Sequence, residues 1–157
     1  MSIAFENNLK VRFDDTLPTS LAAPSVAEVD AADDLTPFIP VAGVDRPSQQ
    51  NQSSLAMLGS AFISEDLGTW GVGPINLTFV RDPANEDATH PWQLFSYGTE
   101  GVLYVSPNNS FTSGDEISVY HVKSHEPAEQ PSAENTKQQF TVSFPVVEFV
   151  RRATIAT

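Results

Sequence analysis

The sequence predicts a mainly β protein: an antiparallel β-sandwich or barrel-like fold with one short flanking α-helix and long loops. Three observations carry this. Several short segments alternate apolar and polar residues, or are apolar on both faces, as strands with a period of two require. They are separated by clusters of Pro, Gly, Asn and Asp, which are turn formers. A single stretch, PWQLFSYG, carries helix signals, and no repeat of fixed period is evident. The chain has 157 residues, the size of one domain able to bury roughly two-thirds of its unfolded surface.

In chain order, LKVRFDD alternates through Leu9, Val11 and Phe13 and reads as an opening strand. Residues 15–34 are rich in Pro, Ala and Asp and weakly periodic, so they read as a loop. DLTPFIPVAGV places Leu35, Phe38, Ile39 and Val41 among two prolines, which fits an edge strand or an irregular packed segment. Residues 45–54, DRPSQQNQSS, are polar and loop-like. LAMLGSAFISEDLGTWGVGP fits either a strand around Gly59 or a short helix, with loop at Gly68, Gly71 and Gly73. INLTFV alternates cleanly, with Ile75, Leu77 and Phe79 on one face and Asn76 and Thr78 on the other. DPANEDATH is a turn-rich connection. Pro91 in the first turn and Gly98 just past the end delimit a short helix whose Trp92 and Phe95 share a face.

GTEGVLYVSP is a strand with Val102 and Tyr104 on one face and Leu103 and Val105 on the other. Both faces are apolar, so both need a cover. The helix bearing Trp92 and Phe95 is the expected cover for the second face; a neighbouring subunit is the alternative. PNNSFTSGD turns the chain, using Asn108, Asn109 and Gly114, and EISVYHV is the return strand. Residues 123–138 form a long polar loop. QFTVSFPVVEFV closes the fold with Phe140, Val142 and Phe144 inward and Thr141 and Ser143 outward.

Charge and motifs exclude more than they assign. The formal net charge is -12, from 20 Asp and Glu against 8 Lys and Arg, which argues against a phosphate-gripping surface. The segment after Met1, SIAFENNLKVRF, has no apolar core, no run approaches the roughly 18 apolar residues of a membrane span, and Cys is absent. These features lead us to expect a soluble, cytosolic chain. His121 and His125, four apart on a strand, lie about 13 Å from each other, too far to share a metal without a sharp turn. His90 before Pro91 reads as a helix-entry residue. Asp82, Asn85, Glu86 and Asp87 lack the spacing of a calcium loop. No serine elbow, phosphate loop or dinucleotide fingerprint occurs. No catalytic residue, metal or cofactor is expected, and an enzyme is not.

The segment APSVAEVDAADDLTPFI resembles the opening of the major tail proteins, or tail tube proteins, of siphovirus-type phages of actinobacteria. Ala23, Pro24, Ala27, Glu28, Val29, Asp34, Leu35 and Thr36 carry the likeness. Gly98, Thr99 and Gly101 resemble that family's Gly-Thr-x-Gly strand. Gly114, Asp115, Ile117, Val119, Tyr120 and Val122 resemble a later strand, with His121 where the family often has Pro. EQPSAEN and QFTVSF complete the order over residues 23–157, while Leu55–Gly73 has no counterpart.

The resemblance implies one tail-tube domain over 1–157. Its parts are an N-terminal arm of about 1–34, a long loop of about 45–74 and a C-terminal tail of about 148–157. It implies stacked hexameric rings forming a conduit for the genome, in the virion tail after assembly in the host cytoplasm. The partners it implies are other copies of itself, a tape measure protein, tail terminator and tail-tip or baseplate proteins. Phage DNA would pass through the lumen without specific binding, and no membrane is involved. Asn76, Thr78, Thr141 and Ser143 are candidate lumen-facing residues. Trp92, Phe95, Val102, Leu103, Tyr104 and Val105 are candidates for the helix–sandwich or subunit contact. Two other classes fit the composition. One is a monomeric sandwich module binding carbohydrate or protein, with Trp70 as its aromatic platform, since Trp92 reads as buried. The other is a different virion protein, for head–tail joining or decoration.

Overall fold

The computed structural model describes residues 9–40, 43–46, 48–56, 63–81, 90–107, 111–131 and 138–156, with the backbone alone for 48–56 and 63–72. The strands are β1 (Lys10–Asp14), β2 (Asp33–Asp34), β3 (Val44–Asp45), β4 (Ser48–Ala56), β5 (Ile63–Val72), β6 (Ile75–Val80), β7 (Glu100–Ser106), β8 (Glu116–Lys123), β9 (Ala128–Glu129), β10 (Gln139–Phe144) and β11 (Val146–Thr154). The helices are α1 (Val26–Asp30) and α2 (Pro91–Leu94), with a 3-10 turn at Thr36–Phe38. One sheet runs β11-β8-β7-β1-β2 and a second β3-β6-β10-β9, while β4 and β5 form a hairpin of their own. Every pairing between strands is antiparallel. The fold is a β-sandwich, not a closed barrel.

The alternation read from the sequence places the core. On β6, Ile75, Leu77 and Phe79 are buried, and on β10, Phe140, Val142 and Phe144 are buried. They meet Val11, Phe13, Leu103, Val105, Tyr120 and Val122 from the five-stranded sheet. Aromatic rings fill the space between the sheets: Phe13 meets Phe95 at 4.8 Å, Phe95 meets Phe144 at 4.9 Å, and Trp92 meets Phe140 at 5.0 Å, all edge to face. Trp92 and Phe95 thus plug the gap between the sheets. His90 caps α2 through Nδ1, which accepts the Trp92 N–H at 3.2 Å, so its helix-entry role holds.

This overturns the expected cover of β7. Leu103 and Val105 face the inter-sheet core that Trp92 and Phe95 enter, so α2 lies on the core-facing side of β7 and not on its outward side, which bears Val102 and Tyr104. The four residues of α2 span only about 6 Å, too short to roof a strand. Val102 and Tyr104 form a second core with Ile117, Val119, Ala153 and Ile155, under Val29 of α1, with Leu21, Val26 and Ala32 packed on it. The cover is the arm around α1, from the same chain.

That arm was expected to be loop. Its helix is set by a capping box: Ser25 Oγ accepts the Glu28 N–H at 3.2 Å and the Ser25 N–H donates to Glu28 Oε1 at 3.4 Å. The Ser-x-x-Glu spacing was visible in the sequence and is the signal that would have found it. Glu28 Oε2 also accepts the Thr19 N–H at 2.8 Å. Burial pushes the Glu28 carboxyl up, but the hydrogen bonds from Ser25 and Thr19 outweigh it and hold the group below its ordinary value. At the other end of α1, Arg12 Nη1 donates to the Val29 carbonyl at 3.1 Å, a cation at a helix C-terminus. The chain end is tied in as well, by Val26 N–H to Ala156 O at 3.1 Å and Ala156 N–H to Pro24 O at 2.8 Å.

Two further expectations are corrected. Residues 48–56 and 63–72 pair over most of their length as the β4–β5 hairpin, so 45–54 is not a loop, and Gly68 and Gly71 lie in a strand. Backbone pairing here overrides a side-chain pattern that favours turns. Residues 146–154 form an edge strand on β8, with two register shifts. Gly59, Asn108, Asn109 and the Asp82–Asp87 turn lie outside the described residues.

Tyr104 carries one anomaly. Its hydroxyl is buried beneath the arm and meets no hydrogen-bond partner among the described residues. Burial, then the Asp14 and Glu28 carboxylates, push its ionisation up. An unpaired buried hydroxyl costs about 1–3 kcal/mol, so Tyr104→Phe should leave stability unchanged or raise it by about 1 kcal/mol. Urea denaturation checks this. A loss above about 1 kcal/mol would show that the hydroxyl has a partner in solution.

Candidate functional site

The functional surfaces of this fold are its outward faces and its strand edges. On the four-stranded sheet the sequence offered two pairs of polar residues, Asn76 with Thr78 and Thr141 with Ser143. The register makes them one patch: Thr78 lies opposite Thr141 and Asn76 opposite Ser143. All four are half-buried on the side away from the core. The Thr78 and Thr141 hydroxyls are 3.3 Å apart, and Gln130 Nε2 donates to Thr141 Oγ1 at 2.6 Å. Across β3, β6, β9 and β10 there is no Lys or Arg; beside these hydroxyls and amides, Asp45 sits opposite Asn76. This face is a hydrogen-bonding surface, uncharged apart from Asp45 at its rim, and its strands offer no cation to hold a phosphate.

The outward face of the five-stranded sheet is different, because the arm roofs it. Of the second set of predicted residues, Val102, Leu103, Tyr104, Val105 and Phe95 are all buried within one chain. Trp92 is half-buried, packed on Phe140 and under the Arg81 guanidinium at 4.1 Å, so it is no open platform. The side chain of Trp70, on β5, is outside the described residues. His121 does not join His125: its Nε2 lies 2.6 Å from Glu100 Oε1, while His125 sits beside Tyr97, rings 6.3 Å apart. Among the described residues no three metal-ligating side chains cluster.

The strand edges are short or irregular. β2, β3 and β9 have two residues each, and β11 is bulged, devices that limit uncontrolled pairing. Among the described residues the β4–β5 hairpin forms a two-stranded sheet of its own. The described layout is thus a sandwich with one face roofed by the arm, one polar face and a separate hairpin. Compared with models of protein families, residues 3–157 match the phage tail tube proteins. The chain belongs to that family. A comparison with curated proteins found no match.

A phage tail tube protein is a structural subunit, not an enzyme. It assembles with copies of itself and other tail proteins, and its place is the virion tail. The match spans the stretch from Leu55 to Gly73 that lacked a recognisable motif, and it is there that the β4–β5 hairpin lies. Among the described residues no helix is long and apolar enough to cross a membrane.

Proposed function

We propose that this tail tube protein forms hexameric rings that stack into the tube of a siphovirus-type tail. The tube would be assembled in the host cytoplasm around a tape measure protein, closed by a tail terminator and a tail-tip or baseplate complex, and later used as the genome's conduit. In this reading the outward face of the four-stranded sheet lines the lumen. One observation carries it: the Asn76, Thr78, Thr141 and Ser143 patch is neutral and wettable, and its sheet bears no Lys or Arg. A conduit wall should be hydrated yet give passing phosphates no cation to bind. The other sheet's outward face is taken by the arm, which leaves it unsuited to the lumen. The β4–β5 hairpin and the chain termini supply the contacts between rings.

Negative-stain electron microscopy of the purified protein, alone and with its tail partners, is expected to show rings or tubes of constant width. A chain that stays monomeric under every assembly condition defeats the proposal. The lumen assignment has its own test. Thr78→Lys with Thr141→Lys puts two cations per subunit on the wall, so genome ejection should slow and become strongly salt-dependent. Ejection at the original rate at low salt would move the lumen to another face.

A further inference from the structure

We infer that neighbouring copies dock side by side through opposite charges, an arginine-bearing flank of one sandwich against a carboxylate-bearing flank of the next. This rests on the ring reading above and names its contact. Among the described residues the outer strands are β2 and β11 in one sheet and β3 and β9 in the other, with the arm bound to the chain just past β11. Arg46, which follows β3, brings Nη1 to 3.5 Å from Tyr120 Oη on β8, so β3 shares a flank with the β8–β11 edge. On the other side, β2 runs into the turn holding Phe38, whose ring lies 4.7 Å from His90 and through it 6.4 Å from Phe140, the partner of Glu129 in β9. β2 and β9 therefore share the opposite flank.

The charges divide the same way. Arg46, Arg151 and Arg152 are exposed on the first flank, in a chain with only 8 Lys and Arg. Asp45 and Glu148 share that flank and reduce its charge without cancelling it. Asp33, Asp34 and Glu129 lie on the second flank, Asp34 and Glu129 exposed and Asp33 half-buried; Arg81 pairs with Glu129 at 3.1 Å and Arg12 lies opposite Asp34, so Asp33 and Asp34 carry most of its acidity. At a net charge of -12, copies repel one another at long range, so close assembly needs local complementarity. Opposite flanks of one subunit that complement each other make a head-to-tail contact, the kind that closes a ring. The occupant that fits each flank is a second copy of this chain.

The test uses the full chain. Arg151→Glu with Arg152→Glu makes both flanks acidic; Asp33→Arg with Asp34→Arg makes both basic. Each double variant alone should lose assembly by about tenfold or more in sedimentation, the arginine pair melting like the wild type and the aspartate pair slightly lower, because Asp34 Oδ1 accepts the Thr36 N–H at 3.1 Å. An equimolar mixture should assemble again, because alternating copies restore every contact. The inference is overturned if either double variant assembles as the wild type does, or if the mixture stays as unassembled as its components. A second measurement uses the absence of Cys. Asp34→Cys with Arg152→Cys places thiols on the two outer strands of a five-stranded sheet, about 19 Å apart. That exceeds the roughly 7 Å limit of a disulfide within one chain. Oxidised tubes should therefore give a ladder of linked chains on a non-reducing gel. Tubes that form but yield only single chains overturn the flank contact and leave the tube reading standing. A wild-type chain that never assembles sinks the tube reading itself.

Discussion

Replacing Gly101 with alanine should destabilise the protein by about 3 kcal/mol or more, a large share of the 5–15 kcal/mol typical of a folded domain. The cause is steric. Gly101 lies where β7 begins, opposite Val122 of β8, and a Cβ there would run into the Asp14 carbonyl oxygen and come within 2.5 Å of Phe13 Cζ. Phe13 is fully buried and wedged edge-on to Phe95, so its ring has no room to retreat. The obstruction includes backbone of β1, which rotamer changes cannot clear. Gly98 is the control. It holds φ at +85° with nothing within 4 Å of an added Cβ, so Gly98→Ala should cost only about 1 kcal/mol of backbone strain. Denaturation midpoints of the two variants give the comparison. Equal small losses would mean that β1 does not lie on β7 as described.

Val29→Asp should release the arm. Val29 is wholly buried on the second core, and the Arg12 guanidinium beside α1 is already engaged through Nη1 with the Val29 carbonyl and Asp30. Burying a poorly paired charge costs about 3–5 kcal/mol, more than one turn of helix can supply, so the arm should lift rather than hold the charge. Val102, Tyr104, Ile117 and Val119 would then be uncovered. Binding of a hydrophobic dye and rapid proteolysis between residues 15 and 32 are the readouts. A variant that resists protease and binds no dye would place the cover elsewhere, a second copy being the remaining choice.

Milder changes should act on the same clip. Ser25→Ala removes the cap and costs about 1 kcal/mol. The pH dependence follows from Glu28, whose folded value is depressed. Its contribution is present above the ordinary glutamate range, near about 4.3, and is lost as pH falls through the lower folded value. Dye binding should therefore rise in acid, and Glu28→Gln should weaken that rise.

Much of the sandwich was legible without coordinates. INLTFV and QFTVSF alternate, and alternation with one buried face leaves only one way to orient a strand. Pro91 marked the start of α2, which stops at Leu94 rather than running to Gly98, and Gly114 marked a positive φ of 89°. The Ser25–Glu28 box is equally readable, but it lies among polar, weakly periodic residues that read as loop. The β4–β5 hairpin was less accessible, since its strands are full of Gln, Asn, Ser and Gly and owe their state to each other's backbone.

The sequence by itself determined which residues of each regular strand point inward, where the short helix starts, and that β7 must be covered on both faces. Those are local matters, settled by side-chain period and by φ preferences within a few residues. Only the tertiary structure decided that α1 and not α2 forms the roof, that Asn76, Thr78, Thr141 and Ser143 make one patch, and that Arg46 comes to the same flank as Arg151 and Arg152. Each of these depends on which distant segments become neighbours. Backbone hydrogen bonding, which is blind to residue type, and the closing of two cores make that choice together.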